Sequence, residues 1–443
     1  MASKFGYTFR NLFLVSKGLE MKMLFIASLF FSSSVFSTEY IVQLKQNKNF
    51  PKSLLGIFTE RFSALGVQYA KVSTENKALV ENIKTDPAVE VVEENIIYET
   101  FQKDFLSPDV SDFKKQWALK NMGNNEPIRV DQMSPVAGKA GADMNALKAW
   151  EITKGSRDVV IAVIDSGVDL THPELKNNLW VNIAEKNGRS GVDDDGNGYV
   201  DDIHGYDFVG KDGSPLDENG HGTHCSGIIG AAHGQGKVAG MMESVSIMAV
   251  RFINDKGRGD LEGSIKAVSY AVENGAHILS NSWGSRGYSK ILEDLIKRSN
   301  ERGVVFVAAA GNYRFNDNDK NPLYPASYDS PNIITVSAYN ARERHSAFSC
   351  FGKKSVHVAG PGTNIISTFI KTKKDPRYKV ASGTSMATPY VSGMIGLFLS
   401  LYPEKLTPEE IKKRVIETAI PVEHLQDKNV AGGRVDAYKF LNF

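Results

Sequence analysis

The sequence contains four polar side chains that together could carry out nucleophilic chemistry. Each lies in a short segment beside an apolar run or glycines. They are Asp165, His221, Asn312 and Ser385. A serine hydroxyl is a weak nucleophile at neutral pH, so it needs a neighbouring base that removes its proton. An imidazole can be that base, a buried carboxylate can fix the imidazole tautomer, and an amide can donate to an oxyanion. These residue types therefore predict acyl transfer by an activated serine.

Alternating strand and helix patterns could bring these side chains to one edge of a sheet. Apolar runs rich in β-branched residues predict buried strands at 159–164, 245–250, 277–279, 304–310 and 333–337. Helical patterns separate them, for example at 261–272 after Asp260, a residue type that caps helix N-termini. This alternation predicts an α/β fold with a doubly wound, mostly parallel sheet flanked by helices. Ligands of such sheets bind beyond the carboxyl ends of the strands, where Asp165 and Asn312 are expected.

Four motifs in the sequence resemble those of the subtilisin-like serine proteases, the subtilases. They are VIDSGVD around Asp165, HGTHCSG from His221, AAAGN ending at Asn312 and GTSMATP around Ser385. Their order is the subtilisin order, whereas an α/β-hydrolase has its serine first. The resemblance spans residue 116 to the C-terminus. It implies that Asp165, His221 and Ser385 are the triad, and that Asn312 and the Ser385 backbone N–H stabilise the oxyanion.

The resemblance also implies where a polypeptide substrate binds. Two segments would flank the peptide and pair with it as an added strand. They are Ser282, Trp283 and Gly284 on one side and Ala309, Ala310 and Gly311 on the other. Leu323 aligns with the base of the first specificity pocket, and a leucine there is expected to shorten that pocket.

The N-terminus has the features of a secretory signal over residues 1–37. Lys22 precedes a short apolar core at 23–31, small residues follow it, and Met21 is a second candidate start. The apolar core has about half the length that a membrane span needs, so no membrane span is expected. An internal amphipathic helix is the alternative. The signal predicts a secreted protein, outside the cell or in the periplasm or cell envelope.

Residues 38–110 are predicted to form a separate small α/β module. Strand patterns lie at 40–44 and 89–98, and helical patterns lie around 54–65 and 76–83. A polar linker at 101–116 contains a proline and no steady period. The resemblance implies that the module is a propeptide that assists folding and then inhibits transiently; an independent binding domain is the alternative. The catalytic domain is expected to span residues 111–443. The protein is expected to be a monomer.

The acidic segment 193–202 has the spacing of a calcium-binding loop. Side chains that carry oxygen alternate along it, at Asp193, Asp195 and Asn197 and then at Asp201 or Asp202. His204 stands where an EF-hand has its final glutamate, so this is not a true EF-hand. Five carboxylates within ten residues would repel one another without a cation. A structural Ca²⁺ ion is therefore expected, and a solvated acidic loop is the alternative.

Composition argues against several other functions. Lys and Arg number 52 against 51 Asp and Glu, which is not the basic excess that a nucleic-acid-binding protein needs. Two cysteines, Cys225 and Cys350, are too few for a four-cysteine zinc site. Both are expected to be free thiols, and a disulfide between them is the alternative. His221 and His224 lie one helical turn apart but lack the glutamate of the zinc-protease motif.

Two alternatives to a protease remain at this level. One is a serine esterase or lipase, because GTSMA around Ser385 approaches the G-x-S-x-G motif. Too few residues follow Ser385 to supply the acid and base in the order of that fold. The other is a binding protein on an inactive protease scaffold, which the presence of all four chemical groups argues against.

Overall fold

The computed structural model describes residues 37–51, 56–101, 115–124, 138–234, 236–372, 377–403 and 405–442. All but the last residue of the predicted signal, and most of the predicted linker, lie outside these described residues. The described residues from Thr38 onward form one compact unit. Among the helices that are described, none combines the length and the apolar character that crossing a bilayer requires.

The N-terminal module is an antiparallel sheet with one helix packed on it. Its elements are β1 (Thr38–Leu44), β2 (Glu60–Ala64), β3 (Val67–Thr74), α1 (Lys77–Lys84) and β4 (Val89–Glu94). The strand order is β2–β3–β1–β4. The side chain of Asn76 caps α1 by accepting from the Leu79 backbone N–H at 3.2 Å. Val42, Val72 and Ile83 form the small core between helix and sheet.

The prediction of a helix around residues 54–65 is wrong for those of these residues that the structure describes. That part includes β2, along which more and less exposed side chains alternate. Phe62 stacks on Tyr69 of β3, with 5.4 Å between ring centroids, and Ala64 is buried. Cross-strand pairing on a half-buried pleat decides the conformation here, and local helical periodicity does not.

A short strand, β5 (Ile97–Thr100), leads from this module into the larger one. The first half of the larger module contains α2 (Ala146–Ala149), β6 (Gly155–Asp165), α3 (Ile183–Asn187), β7 (Gly205–Asp207), α4 (His221–Gly230), β8 (Ser244–Arg251), β9 (Arg258–Asp260), α5 (Leu261–Glu273), β10 (Ile278–Asn281), β11 (Trp283–Gly284) and α6 (Lys290–Glu301). The second half contains β12 (Val305–Ala309), β13 (Ile333–Tyr339), β14 (Val358–Pro361), β15 (Ile365–Thr368), β16 (Tyr378–Ala381), α7 (Thr384–Leu401), α8 (Pro408–Glu417), β17 (Ile420–Pro421), a 3₁₀ turn (Glu423–Leu425), β18 (Gly433–Arg434) and α9 (Ala437–Asn442).

The described strands include a nine-stranded sheet in the order β17–β18–β14–β13–β12–β10–β6–β8–β7. All neighbouring pairs are parallel except β17–β18. Helices cover both faces of this sheet. Alternate residues of β6 therefore pack into two different hydrophobic cores. Ile161 and Val163 join the core that contains α4 and α7, and Ala162 and Ile164 join the core that contains α5 and α6. The predicted doubly wound fold is confirmed.

Parallel pairing places the carboxyl ends of the central strands at one edge. Asp165 is the last residue of β6, Ser282 directly follows β10, and Asn312 lies shortly after β12. Helices α4 and α7 pack against each other, and His221 and Ser385 lie in their first turns. The fold therefore brings together the four side chains that the sequence singles out.

Candidate active site

Asp165 and His221 form a buried hydrogen-bonded pair. The distance from His221 Nδ1 to Asp165 Oδ1 is 2.7 Å. The same carboxylate oxygen accepts the Ser166 backbone N–H at 2.7 Å, which fixes its orientation. Gly220 allows His221 to begin α4 because its φ is 98° and a Cβ there would lie 2.3 Å from the Phe369 ring. A carboxylate on Nδ1 leaves Nε2 as the nitrogen that can take up a proton.

Ser385 lies at the N-terminus of α7, where the backbone N–H groups of a helix are unpaired. Its Oγ hydrogen-bonds the carbonyl oxygen of Phe101 and lies 3.1 Å from that of Ser282. Ser282 Oγ in turn donates to the Ser385 carbonyl oxygen at 3.0 Å. These contacts hold the hydroxyl against a carbonyl group of the chain itself.

Two N–H groups converge on that carbonyl oxygen. Asn312 Nδ2 donates to the Phe101 oxygen at 2.6 Å, and the Ser385 backbone N–H donates at 3.3 Å. Asn312 Oδ1 accepts the backbone N–H of Thr384 at 3.0 Å and its hydroxyl at 3.1 Å, which orients the amide with its nitrogen towards Phe101. This is the geometry of an oxyanion hole that already holds a carbonyl group.

The chain before Phe101 lies in the cleft as an extended strand. β5 pairs antiparallel with β11 on one side and with β9 on the other. The pairing continues beyond β5, because Phe101 N donates to Ser282 O at 3.1 Å and Thr100 N donates to Gly257 O at 3.2 Å. The segment 97–101 therefore binds as a peptide substrate would, through backbone hydrogen bonds on both edges.

The two segments predicted to flank a substrate lie differently with respect to β5. Residues 282–284 pair with β5, whereas Ala309 belongs to β12, whose backbone pairs with β10 and β13 inside the central sheet. The second flanking strand is β9, which sequence reasoning missed. Its signal is Gly257 and Gly259, because a Cβ on Gly259 would lie 2.6 Å from Phe252 and the backbone must pass close by.

The Phe101 side chain occupies an apolar pocket, which we call the primary pocket. It is formed by Ala309, Ala310, Leu323, Cys350 and Val356. Leu323 belongs to this cluster, which accommodates the phenyl ring of Phe101. Gly311 is needed beside it, since its φ is 106° and a Cβ there would lie 2.4 Å from a Leu323 methyl carbon.

The sequence profile of the subtilase family matches residues 156–437, which include all four of these chemical groups. The chain belongs to the subtilase family. It is 36% identical over 296 residues to a thermophilic serine proteinase of Bacillus sp. (strain AK1), covering 67% of this chain and 64% of that protein. It is 32% identical over 352 residues to the minor extracellular protease Epr of Bacillus subtilis, covering 78% and 46%.

A relative from Plasmodium falciparum and a solved structure extend the comparison. Subtilisin-like protease 2 of Plasmodium falciparum is 33% identical over 302 residues, which are 66% of this chain and 21% of that protein. The subtilase chain thus spans less than two thirds of these relatives. Fervidolysin from Fervidobacterium pennivorans, a keratinolytic enzyme related to subtilisin, shares the fold with a TM-score of 0.67 at 22% identity, over 92% of this chain and 61% of that one.

The predicted metal ligands in the acidic loop of this subtilase, residues 193–202, fall into two groups according to their contacts. Asp193 accepts the backbone N–H groups of Gly196 and Gly198 at 2.7 and 2.8 Å, and Asp201 accepts that of Gly191 at 2.8 Å. These two carboxylates therefore hold the turns of their own loop.

The second group converges with a residue that the sequence prediction missed. Carboxylate oxygens of Glu185, Asp195 and Asp202 lie within 4.8 Å of one another, and Asn197 Nδ2 donates to Asp202 at 3.0 Å. Burial, together with a smaller effect of the Asp195 charge, raises the pKa of Asp202 to about 6, although hydrogen bonds to its carboxylate act in the opposite direction. Glu185 comes from α3, eight residues before the acidic run, so loop spacing could not indicate it.

The remaining polar residues near the site have other partners. Cys225 and Cys350 form no disulfide and are buried. His224 Nε2 lies 3.1 Å from the Lys379 carbonyl oxygen, and burial lowers the pKa of His224 to about 3. His221 instead contacts Asp165, so the two imidazoles do not converge on one metal position.

Proposed function

We propose that this subtilase is a secreted serine endopeptidase, made as a zymogen that cuts its own N-terminal module away. The observation that carries the proposal is the position of the Phe101 carbonyl group. Two N–H groups bind its oxygen while Ser385 Oγ lies against it. A reacting carbonyl must occupy such a position, close to both the nucleophile and the oxyanion donors.

The reaction follows from these contacts. Ser385 Oγ attacks the Phe101 carbonyl carbon while its proton passes to His221 Nε2, and Asp165 stabilises the imidazolium. Asn312 Nδ2 and the Ser385 N–H stabilise the oxyanion. His221 then protonates the amine of the leaving fragment, and the acyl group stays on Ser385. Water activated by His221 hydrolyses this acyl-enzyme and frees the Phe101 carboxylate.

Charge contacts support a role of the N-terminal module as inhibitor after this cut. Lys266 of α5 bonds Glu60 of β2 and lies 2.7 Å from Glu262, and Lys71 of β3 lies 2.7 Å from Glu262. Although burial alone would raise it, the hydrogen bond and charge of Lys266 lower the pKa of Glu60 to about 2. This partly buried network joins the two modules and does not depend on the bond that is cut.

A second contact anchors β4 at helix α6. The Glu93 carboxylate accepts the Ser289 hydroxyl at 2.7 Å and the Lys290 backbone N–H at 2.8 Å. A carboxylate at a helix N-terminus satisfies unpaired N–H groups and interacts favourably with the helix dipole. The module would therefore remain bound, with Phe101 in the primary pocket, until it is degraded or displaced.

Intact mass after expression of the full chain tests this proposal. Wild-type protein is expected to give an N-terminal fragment that ends at Phe101 and a second fragment that begins at Gln102. Ser385→Ala is expected to remain uncut, because the nucleophile is absent. Ser400→Ala, at the other end of α7, is the matched control and should be processed. Cleavage of the Ser385→Ala chain after Phe101 would show that another protease makes the cut.

We also propose that the acidic loop binds a structural Ca²⁺ ion. The donor set fits a hard cation, because three carboxylates converge and one of them, Asp202, has a raised pKa from burial. Glu185, Asp195 and Asp202 would hold the ion, which would neutralise their mutual repulsion. The Tyr270 hydroxyl donates to Asp202 at 2.6 Å, so binding would also brace the loop against α5.

Thermal unfolding with and without calcium tests the ion site. At 100 times its Kd, calcium should raise the free energy of unfolding by about 2.7 kcal/mol in the wild type, and chelation should remove this gain. Asp202→Asn is expected to lose most of the response. Asp193→Asn should keep it, because an asparagine oxygen can accept the same backbone N–H groups. Equal responses in wild type and Asp202→Asn would contradict this ligand set.

A further inference from the structure

A second carboxylate, that of Asp217, lies shortly before α4 and accepts five hydrogen bonds. Its Oδ1 accepts the Ser166 hydroxyl at 2.9 Å and the backbone N–H groups of Asn219 and Gly220 at 2.9 and 2.8 Å. Its Oδ2 accepts the backbone N–H and the hydroxyl of Thr223 at 2.9 and 2.6 Å. An ionised carboxylate offers about four acceptor sites, so that of Asp217 is fully engaged by its neighbours and held in one orientation.

These hydrogen bonds connect the end of β6 with the first turn of α4, the two places where Asp165 and His221 lie. Ser166 directly follows Asp165, and its backbone N–H donates to the Asp165 carboxylate at 2.7 Å. The Ser166 hydroxyl donates to Asp217 at 2.9 Å and accepts the backbone N–H of Gly222, the residue after His221, at 2.9 Å. Ser166 therefore links Asp217 to the immediate neighbours of both members of the Asp165–His221 pair.

Asp217 also stabilises the first turn of α4. Gly220 at the start of this helix has no side chain that could cap it. Asp217 instead accepts the N–H of Thr223, one of the N–H groups that have no partner within a helix, and its charge interacts favourably with the helix dipole. The Thr223 hydroxyl in turn accepts the Asp169 N–H at 2.9 Å, which adds a link to the segment after β6. The orientation of His221, the first residue of α4, therefore depends on Asp217.

The end of β6 and the start of α4 lie in close contact. A Cβ on Gly222 would lie 2.2 Å from the Gly167 carbonyl oxygen and 3.2 Å from Asp165 Cβ. Asp165 and Ser166 are themselves buried. Because closely packed interiors transmit small displacements, loss of the contacts of Asp217 would shift α4 relative to Asp165.

We propose that Asp217 is a positioning residue of the peptidase, which sets the distance and angle between Asp165 and His221 through Ser166 and the first turn of α4. The proposal rests on the peptidase function above. Proton transfer from Ser385 to His221 requires close alignment, so a small displacement of the imidazole lowers kcat. The peptide is bound by β9 and β11, so its binding does not depend on this alignment.

Asp217→Asn tests this role in the processed enzyme, with a quenched fluorescent peptide that contains Ile-Tyr-Glu-Thr-Phe-Gln-Lys, the sequence around Phe101. The asparagine keeps one acceptor oxygen, but its NH₂ group faces N–H donors on the other side. We expect kcat to fall by about 10–100-fold and KM to change by less than about threefold. Titration of the active serine with a covalent inhibitor gives the enzyme concentration, so misfolded protein does not enter kcat.

Glu218→Gln is the matched control, because it removes the same charge one residue away. The Glu218 side chain is 63% exposed and pairs with Arg251 at 2.5 Å, so it takes no part in the hydrogen bonds of Asp217. We expect Glu218→Gln to keep kcat within about threefold of the wild-type value.

Two further measurements report on the link itself. The proton between His221 Nδ1 and Asp165 should give a low-field signal in proton NMR, which should shift or broaden in Asp217→Asn and stay in place in Glu218→Gln. Ser166→Ala removes the linking hydroxyl and keeps the Asp217 charge, and we expect it to lower kcat by about 10-fold. Because both side chains act through one contact, the double variant should lose less than the product of the two single losses.

The outcomes separate this proposal from the proposed function. If the wild type cuts the peptide but Asp217→Asn and Glu218→Gln have equal kcat, the positioning role is refuted and the peptidase function stands. A rise of KM at constant kcat in Asp217→Asn would also refute the positioning role, because Asp217 would then act on peptide binding. If folded, processed wild-type enzyme cuts neither this peptide nor unfolded casein, the peptidase function itself is refuted.

Discussion

His221→Ala is expected to slow the formation of the Phe101 terminus by about 10⁶-fold. In subtilisin, loss of the nucleophile or of the histidine alone costs about this much in kcat. The same reason applies here, since His221 Nε2 is the only nitrogen of the ring that Asp165 leaves available for the serine proton. The rate is measured by mass spectrometry after the full chain is refolded from denaturant.

A double variant makes this prediction sharper. Serine and histidine act as one unit, so His221→Ala combined with Ser385→Ala should be no slower than either single variant. His233→Gln is the matched control for a lost imidazole. His233 Nε2 lies 2.9 Å from the Gly240 carbonyl oxygen, and a glutamine amide can donate to the same oxygen. Multiplicative losses in the double variant would mean that the two residues do not share one proton transfer.

The positions of Asp165 at the end of a strand and of His221 and Ser385 at the starts of helices could be predicted from the sequence, because each motif is local. The segment around Asp165 ends a buried strand, and those around His221 and Ser385 begin helices in short polar segments with glycines. The parallel sheet then brings Asp165, His221 and Ser385 together, because the carboxyl ends of its strands lie at one edge. The capping residue Asp260 of α5 was predictable for the same reason, because a cap contacts its own helix.

The parts that sequence reasoning missed depend on contacts between distant segments. β9 forms the second wall of the cleft only by pairing with β5, more than 150 residues earlier. Glu185 joins Asp195 and Asp202 from a different element. The segment of β2 has a helix-like pattern and becomes a strand because β3 pairs with it. Such partners are set by tertiary packing, which local periodicity does not encode.

Asn312→Ala is expected to lower kcat for peptide hydrolysis by about 10²–10³-fold and to change KM little. Removal of the corresponding amide donor in subtilisin has an effect of this size. The reason is that negative charge on the carbonyl oxygen develops only as Ser385 attacks, so the Asn312 amide stabilises the transition state more than the bound peptide. The Ser385 backbone N–H remains in the variant and accounts for the residual rate. Steady-state kinetics on a peptide with the sequence around Phe101, Ile-Tyr-Glu-Thr-Phe-Gln-Lys, gives kcat and KM separately.

Asn312→Ala removes two contacts: the Nδ2 donor to the substrate carbonyl and the Oδ1 acceptor that binds Thr384. The control variant must separate the effects of these two losses. Thr384→Val removes the hydroxyl that donates to Asn312 Oδ1 at 3.1 Å but keeps the backbone N–H that donates at 3.0 Å. The donor nitrogen then still faces the substrate carbonyl, so a loss of about 10-fold or less is expected. If Thr384→Val is as slow as Asn312→Ala, the amide acts mainly by holding the start of α7. If Asn312→Ala instead raises KM at constant kcat, the amide binds ground state and transition state equally, and the oxyanion role is wrong.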